Sequence, residues 1–108
     1  MEETNQRIKK LYQFIEKDPN DPFVRFALAI ELIRSERENE AVSYLEELID
    51  KYPDYIGSYY HLGKLYEKIN AMNKAARTYE AGMKWAKKLN DTHSLSELLS
   101  AYNALEKF

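Results

Sequence analysis

The sequence has no cysteine, and only three glycines and three prolines among 108 residues. Without cysteine there can be no disulfide, thiol nucleophile or thiolate metal site, and a reducing compartment is compatible with that composition. With so few turn-forming residues, little material remains for hairpins, and helices are expected instead. The opening MEETNQRIKK has no apolar signal core, and no apolar run approaches membrane-spanning length. A formal net charge of −2, from 16 basic and 18 acidic residues, lacks the basic footprint of a nucleic-acid binder. The chain is therefore expected to be cytoplasmic, with neither nucleic acid nor membrane as partner. Its length fits one domain with a modest core.

What is present is 44% hydrophobic residues, nine tyrosines among them. Apolar residues recur at spacings of three and four in Ile8, Leu11, Tyr12, Phe14 and Ile15, in Phe23, Phe26, Ala27, Ile30 and Ile33, and in Val42, Leu45, Leu48 and Ile49. The pattern continues through Tyr59, Leu62, Tyr66 and Ile69, then Ala75, Tyr79, Met83 and Ala86, and finally Leu95, Leu98, Leu99, Tyr102 and Leu105. A strand would alternate. This spacing predicts an all-α chain of about six amphipathic helices, and the short connections between them make neighbours antiparallel.

The chain also repeats itself. Pro19 recurs as Pro53, Asn39 as Asn73 and Ala41 as Ala75, each pair offset by 34 in number. At the same offset Leu28 maps to Leu62, Ala29 to Gly63, Leu32 to Tyr66 and Leu45 to Tyr79. The run Tyr59, Leu62, Gly63, Tyr66, Ala75, Tyr79 resembles the signature of the tetratricopeptide repeat. The first copy is looser, with Arg25 where the family usually has tryptophan. The resemblance implies a right-handed α-α superhelix in a short array of two repeats, 22–53 and 56–88. A capping helix at 3–17 precedes them, and a solvating helix at 93–107 follows, its register shifted by about two residues and Leu99 standing for the small residue. The initiating Met1 and terminal Phe108 fit a complete chain.

The resemblance also implies a reason for Gly63. A glycine inside a helix costs about 1 kcal/mol against alanine, so close packing must return that much. Ala29 and Gly63 take the crossing point of each helix pair, with Ala41 and Ala75 facing them. Asn39 and Asn73 suit the N-caps of the second helices, and Asp21 before Pro22 that of the first.

Nothing in the sequence points to catalysis. His61 and His93 stand far apart with no metal-ligand spacing, Glu46–Glu47 reads as a solvated pair, and no phosphate-cradling glycine loop exists. No cofactor and no metal are expected. The resemblance implies a protein-binding module that exposes the first helix of each repeat on a concave groove, lined by Phe23, Phe26, Ile30 and Ile33, and by Gly57, Tyr60, Lys64 and Glu67. Arg34, Lys64 and Lys68 edge it. Ile30 and Lys64 stand where members that clamp chaperone tails carry paired asparagines, so a peptide or helix held by apolar contacts fits better. Burying three such side chains yields roughly 5 to 9 kcal/mol gross against an association cost of about 4 to 15, which predicts weak binding. The alternative is self-association as a homodimer through the groove or through a terminal helix at 95–108.

Overall fold

The computed structural model describes residues 2–105, with side chains from residue 5 onward. The last residues of the expected closing helix and of the 95–108 docking element lie outside the described residues, as do Met1 and Phe108. Among the described residues the chain forms six α-helices: α1 (Glu2–Lys17), α2 (Pro22–Arg34), α3 (Glu38–Lys51), α4 (Gly57–Lys68), α5 (Met72–Lys88) and α6 (Thr92–Ala104). They fall into two units, divided between Tyr52 and Pro53.

In the first unit, α2 packs against both α1 and α3. Ile8, Leu28, Ala29, Leu32, Ala41, Leu45 and Leu48 make its core. The N-terminus of α2 forms as its sequence predicts. The Asp21 carboxylate accepts the Phe23 amide at 3.0 Å, and Pro22 stands where no amide donor is required. Glu31 is buried at the place that Leu65 takes one period later. Its Oε1 accepts from Arg34 at 3.2 Å, whereas its buried Oε2 has no hydrogen bond and sees only Arg7, 3.8 Å away.

In the second unit, α5 packs against α4 and α6, and α4 touches α6. Tyr59, Leu62, Leu65, Tyr66, Ala75, Ala76, Tyr79, Ala86, Leu98, Ala101 and Leu105 form the core. A Cβ on Gly63 would lie 2.6 Å from Tyr79 Cζ, with other atoms of that ring also too close. The group nearest the crossing point is the Tyr79 ring, and the expected Ala75 is fully buried on the same helix. Gly82, which no repeat pattern marks, is also tight: a Cβ there would meet Tyr59 Cβ at 2.6 Å.

The asparagine caps are a correction. α3 and α5 begin at Glu38 and Met72, so Arg37 and Ala71 occupy the N-caps without side-chain bonds, and Asn39 and Asn73 lie inside the first turns. What repeats there is the preceding helix end. Glu36, Asn70 and Asn90 each adopt left-handed backbone, with φ of 60°, 62° and 57°. The next amide reaches back to the Leu32, Tyr66 and Ala86 carbonyls, each at 2.8 Å, closing the helix in a Schellman motif. Four residues of the apolar series are also exposed: Phe14 at 51%, Phe23 at 63%, Ile69 at 62% and Leu99 at 46%. Ile69 is the C-cap of α4. Phe14 is the counterpart of the buried Leu48 in the repeat register, and among the described residues no helix precedes α1 to cover it.

Candidate functional site

Two side chains of different chemistry fix where the first helix of each pair begins. Tyr59 donates its hydroxyl to the Pro53 carbonyl at 2.6 Å. Arg25, its counterpart one period earlier, donates from Nε and Nη2 to the Pro19 carbonyl at 3.1 and 3.0 Å. A further Arg25 nitrogen reaches Glu47 at 2.6 Å. An arginine in place of an aromatic therefore keeps the same anchor between loop and helix and leaves the residues that follow in equivalent positions.

On α2 these positions hold Phe23, Phe26, Ile30 and Ile33. Phe23 is 63% exposed, while the other three are half-buried on a helix that also packs against α1. On α4 they hold Gly57, Tyr60, Lys64 and Glu67. Tyr60 is half-buried and Lys64 exposed, with the ammonium 5.6 Å from the ring centre. Glu67 is engaged inward: its Oε2 accepts the hydroxyl of the buried Tyr79 and lies 3.8 Å from Lys64 Nζ. Burial, then the bond to Glu67, push the Tyr79 hydroxyl far above the usual phenol range.

Between α4 and α6 the second unit has an open cleft of about 370 Å³. Tyr60 and Lys64 form one wall; His93, Ser96, Glu97 and Ser100 line the other, with Ala101 and Ala104 also in the lining. The α6 residues other than His93 escape the register of the repeats because α6 is stepped by 36 rather than 34. On that step Ser96 answers Tyr60, Ser100 answers Lys64, and buried Leu98 answers buried Leu62. The shift seen at Leu95, Leu98 and Tyr102 is the signal that locates them. Leu99 answers Gly63 and stands exposed, because no further helix crosses α6 there among the described residues.

Both histidines lie near Glu97. His93 Nε2 is 3.6 Å from its carboxylate. Burial lowers the pKa of His61, with Glu97 pulling the other way, and the His61 ring meets Tyr60 edge-on at 5.5 Å. Among the described residues no group of three His, Asp or Glu side chains is placed to hold a metal ion. No described helix is long and apolar enough to cross a membrane. The cleft offers an aromatic face, one ammonium, one carboxylate, an imidazole, two serine hydroxyls and small side chains, which suits recognition of an inserted side chain.

A family model for the tetratricopeptide repeat matches residues 26–55. A tetratricopeptide repeat domain protein from Salinibacter ruber is similar in both of its solved forms. Its crystal structure is 42% identical, covering 77% of this chain and 92% of that one with a TM-score of 0.75. Its solution structure is 44% identical, covering 79% and 86%, also at 0.75. The TPR2B domain of yeast Sti1, solved in a complex with pHsp70, is only 19% identical but covers 94% of this chain and 82% of its own at a TM-score of 0.86, a likeness of fold. No curated protein matches.

Proposed function

Because this chain belongs to the tetratricopeptide repeat family, we propose that it is a non-enzymatic protein-binding module that holds a peptide or helix of a partner protein. The α4–α6 cleft is a binding surface in the second unit. The observation that carries this reading is that Tyr60 and Lys64, which the repeat register marks as groove residues, line an open cleft whose other wall bears the register-matched Ser96 and Ser100. Residues committed only to the core would not leave such a space. Glu67 supports the site from behind by orienting Lys64 and receiving Tyr79. On the first unit the exposed Phe23, with Phe26, Ile30 and Ile33, gives α2 an apolar face for the same class of ligand.

The fit is to an extended or helical segment with one apolar or aromatic side chain for the Tyr60 ring and hydrogen-bonding groups for the serines. A selected peptide library supplies the test. Peptides recovered on the full chain are titrated against the wild type, Tyr60→Ala and Ser100→Arg, with helicity monitored by circular dichroism. Loss of the aromatic anchor or filling of the cleft weakens binding by about tenfold or more while the fold persists. Peptides that bind both variants as tightly as the wild type would refute the assignment.

A further inference from the structure

The small net charge of −2 conceals a segregation between the two second helices. α3, ENEAVSYLEELIDK, carries five acidic residues against one basic. α5, MNKAARTYEAGMKWAKK, carries five basic residues against one acidic. At two places matched by the repeat the sign inverts, Glu40 being answered by Lys74 and Asp50 by Lys84, while at a third Glu46 is answered by Glu80. All six are exposed. Spacings of three and four align Arg77, Glu80, Lys84 and Lys87 along one stripe of α5, and Ser43, Glu46 and Asp50 along one stripe of α3, every one exposed.

Local partners answer these charges unequally. On α3, Glu47 pairs with Arg25 at 2.6 Å and Glu40 with Arg37 at 2.7 Å. On α5, Lys74 and Lys88 lie over the rings of Tyr66 and Trp85. Arg77, Lys84 and Lys87 form no ion pair among the described residues. The α5 stripe thus carries three cations and one carboxylate, Glu80, between Arg77 and Lys84, whereas the α3 stripe carries the carboxylates Glu46 and Asp50 and no cation.

We infer that the α5 stripe docks on the α3 stripe of a second copy, so that the chain self-associates through its second helices. Like stripes repel, which excludes α3 on α3 and α5 on α5 and fixes the pairing. The contact used twice closes a pair; used once by each copy, it extends a row. It uses neither the α4–α6 cleft nor the apolar face of α2, and it stands whether or not these bind a peptide. Each exposed ion pair contributes little by itself, so the association is weak and sensitive to salt.

Sedimentation equilibrium of the full chain tests it. The wild type associates in about 20 mM NaCl, and its apparent dissociation constant rises about tenfold or more by about 300 mM. Glu46→Lys with Asp50→Lys abolishes association, as does Lys84→Glu with Lys87→Glu, and all four changes in one chain restore it at the original net charge. All positions are exposed, and unchanged helicity by circular dichroism checks that each variant folds. A wild type that stays monomeric in low salt would overturn the inference. So would association that survives either reversal, or that the fourfold variant fails to recover.

Discussion

Gly63 and Gly82 are tight in the same unit, yet an alanine at each meets a different obstacle. At Gly63 the new methyl strikes one edge of the Tyr79 ring, which is wholly buried. Helix propensity favours alanine by about 1 kcal/mol, whereas overpacking a filled core costs about 1 to 3, so Gly63→Ala is net destabilising. At Gly82 the obstacle is Tyr59 Cβ, fixed by its own backbone, so the α4 and α5 axes themselves must part. Gly82→Ala therefore lowers the melting temperature more than Gly63→Ala, and the reverse order would show that the ring is the stiffer neighbour. The first unit offers a rescue. There the matched pair is Ala29 with Leu45, both fully buried: a larger residue on one side and a smaller one on the other. Gly63→Ala combined with Tyr79→Leu transplants that pair, and the double variant is expected to lose less stability than the two single losses together, by about 1 kcal/mol in a thermal-melt cycle.

At the scale of the helix, the ends decide more than the repeat pattern shows. Glu36 occupies the left-handed position that asparagine takes at 70 and 90, and a side chain without local hydrogen-bonding advantage is strained there. Glu36→Gly relieves that strain and stabilises by about 0.5 to 1 kcal/mol, while Asn70→Gly gains less; equal gains would remove strain as the cause. Asp91 caps α6, accepting the Ser94 amide at 3.0 Å and its hydroxyl at 2.8 Å, and those bonds hold the carboxyl below its ordinary value of 3.8. A folded pKa below the unfolded one means that the contribution is complete above the unfolded value and is lost as pH falls through the folded one. Between about pH 6 and pH 3 the wild type should thus lose more melting temperature than Asp91→Asn, whose cap does not titrate; parallel losses would put the acid sensitivity elsewhere.

These ends also mark the limit of what the sequence makes legible. Asp21–Pro22 reads directly, because a side-chain acceptor followed by proline has one local use. Asn39 and Asn73 mislead: their recurrence at one period says that the site repeats, not which turn of the helix it occupies. Gly63 is visible because Ala29 repeats it, but Gly82 aligns with Leu48, and only the approach of Tyr59 explains it. For the cleft, Tyr60 and Lys64 follow from the register, whereas Ser96 and Ser100 require the two-residue step of α6 to be applied to polar as well as apolar positions.

Over the whole molecule the two units differ in the quality of their cores. Among the described residues, seven apolar side chains are buried in the first and eleven in the second, and the second alone buries tyrosines in its core. The first also buries Glu31, whose Oε2 has no hydrogen bond, at the place where the second has Leu65. A buried acceptor left unsatisfied costs about 1 to 3 kcal/mol. Native-state hydrogen exchange should therefore find the slowest amides in α4 and α5 and faster ones in α2 and α3, in keeping with unequal local stability. Glu31→Leu repeats the solution the second unit already uses, and its former partners Arg7 and Arg34 are 53% and 61% exposed, so water can solvate them once the carboxylate is gone. The variant is expected to slow exchange in α2 and leave α4 to α6 unchanged. Faster exchange in α2 would mean that the bond from Arg34 to Glu31 outweighs the orphaned oxygen, and equal protection of both units in the wild type would mean that they open as one.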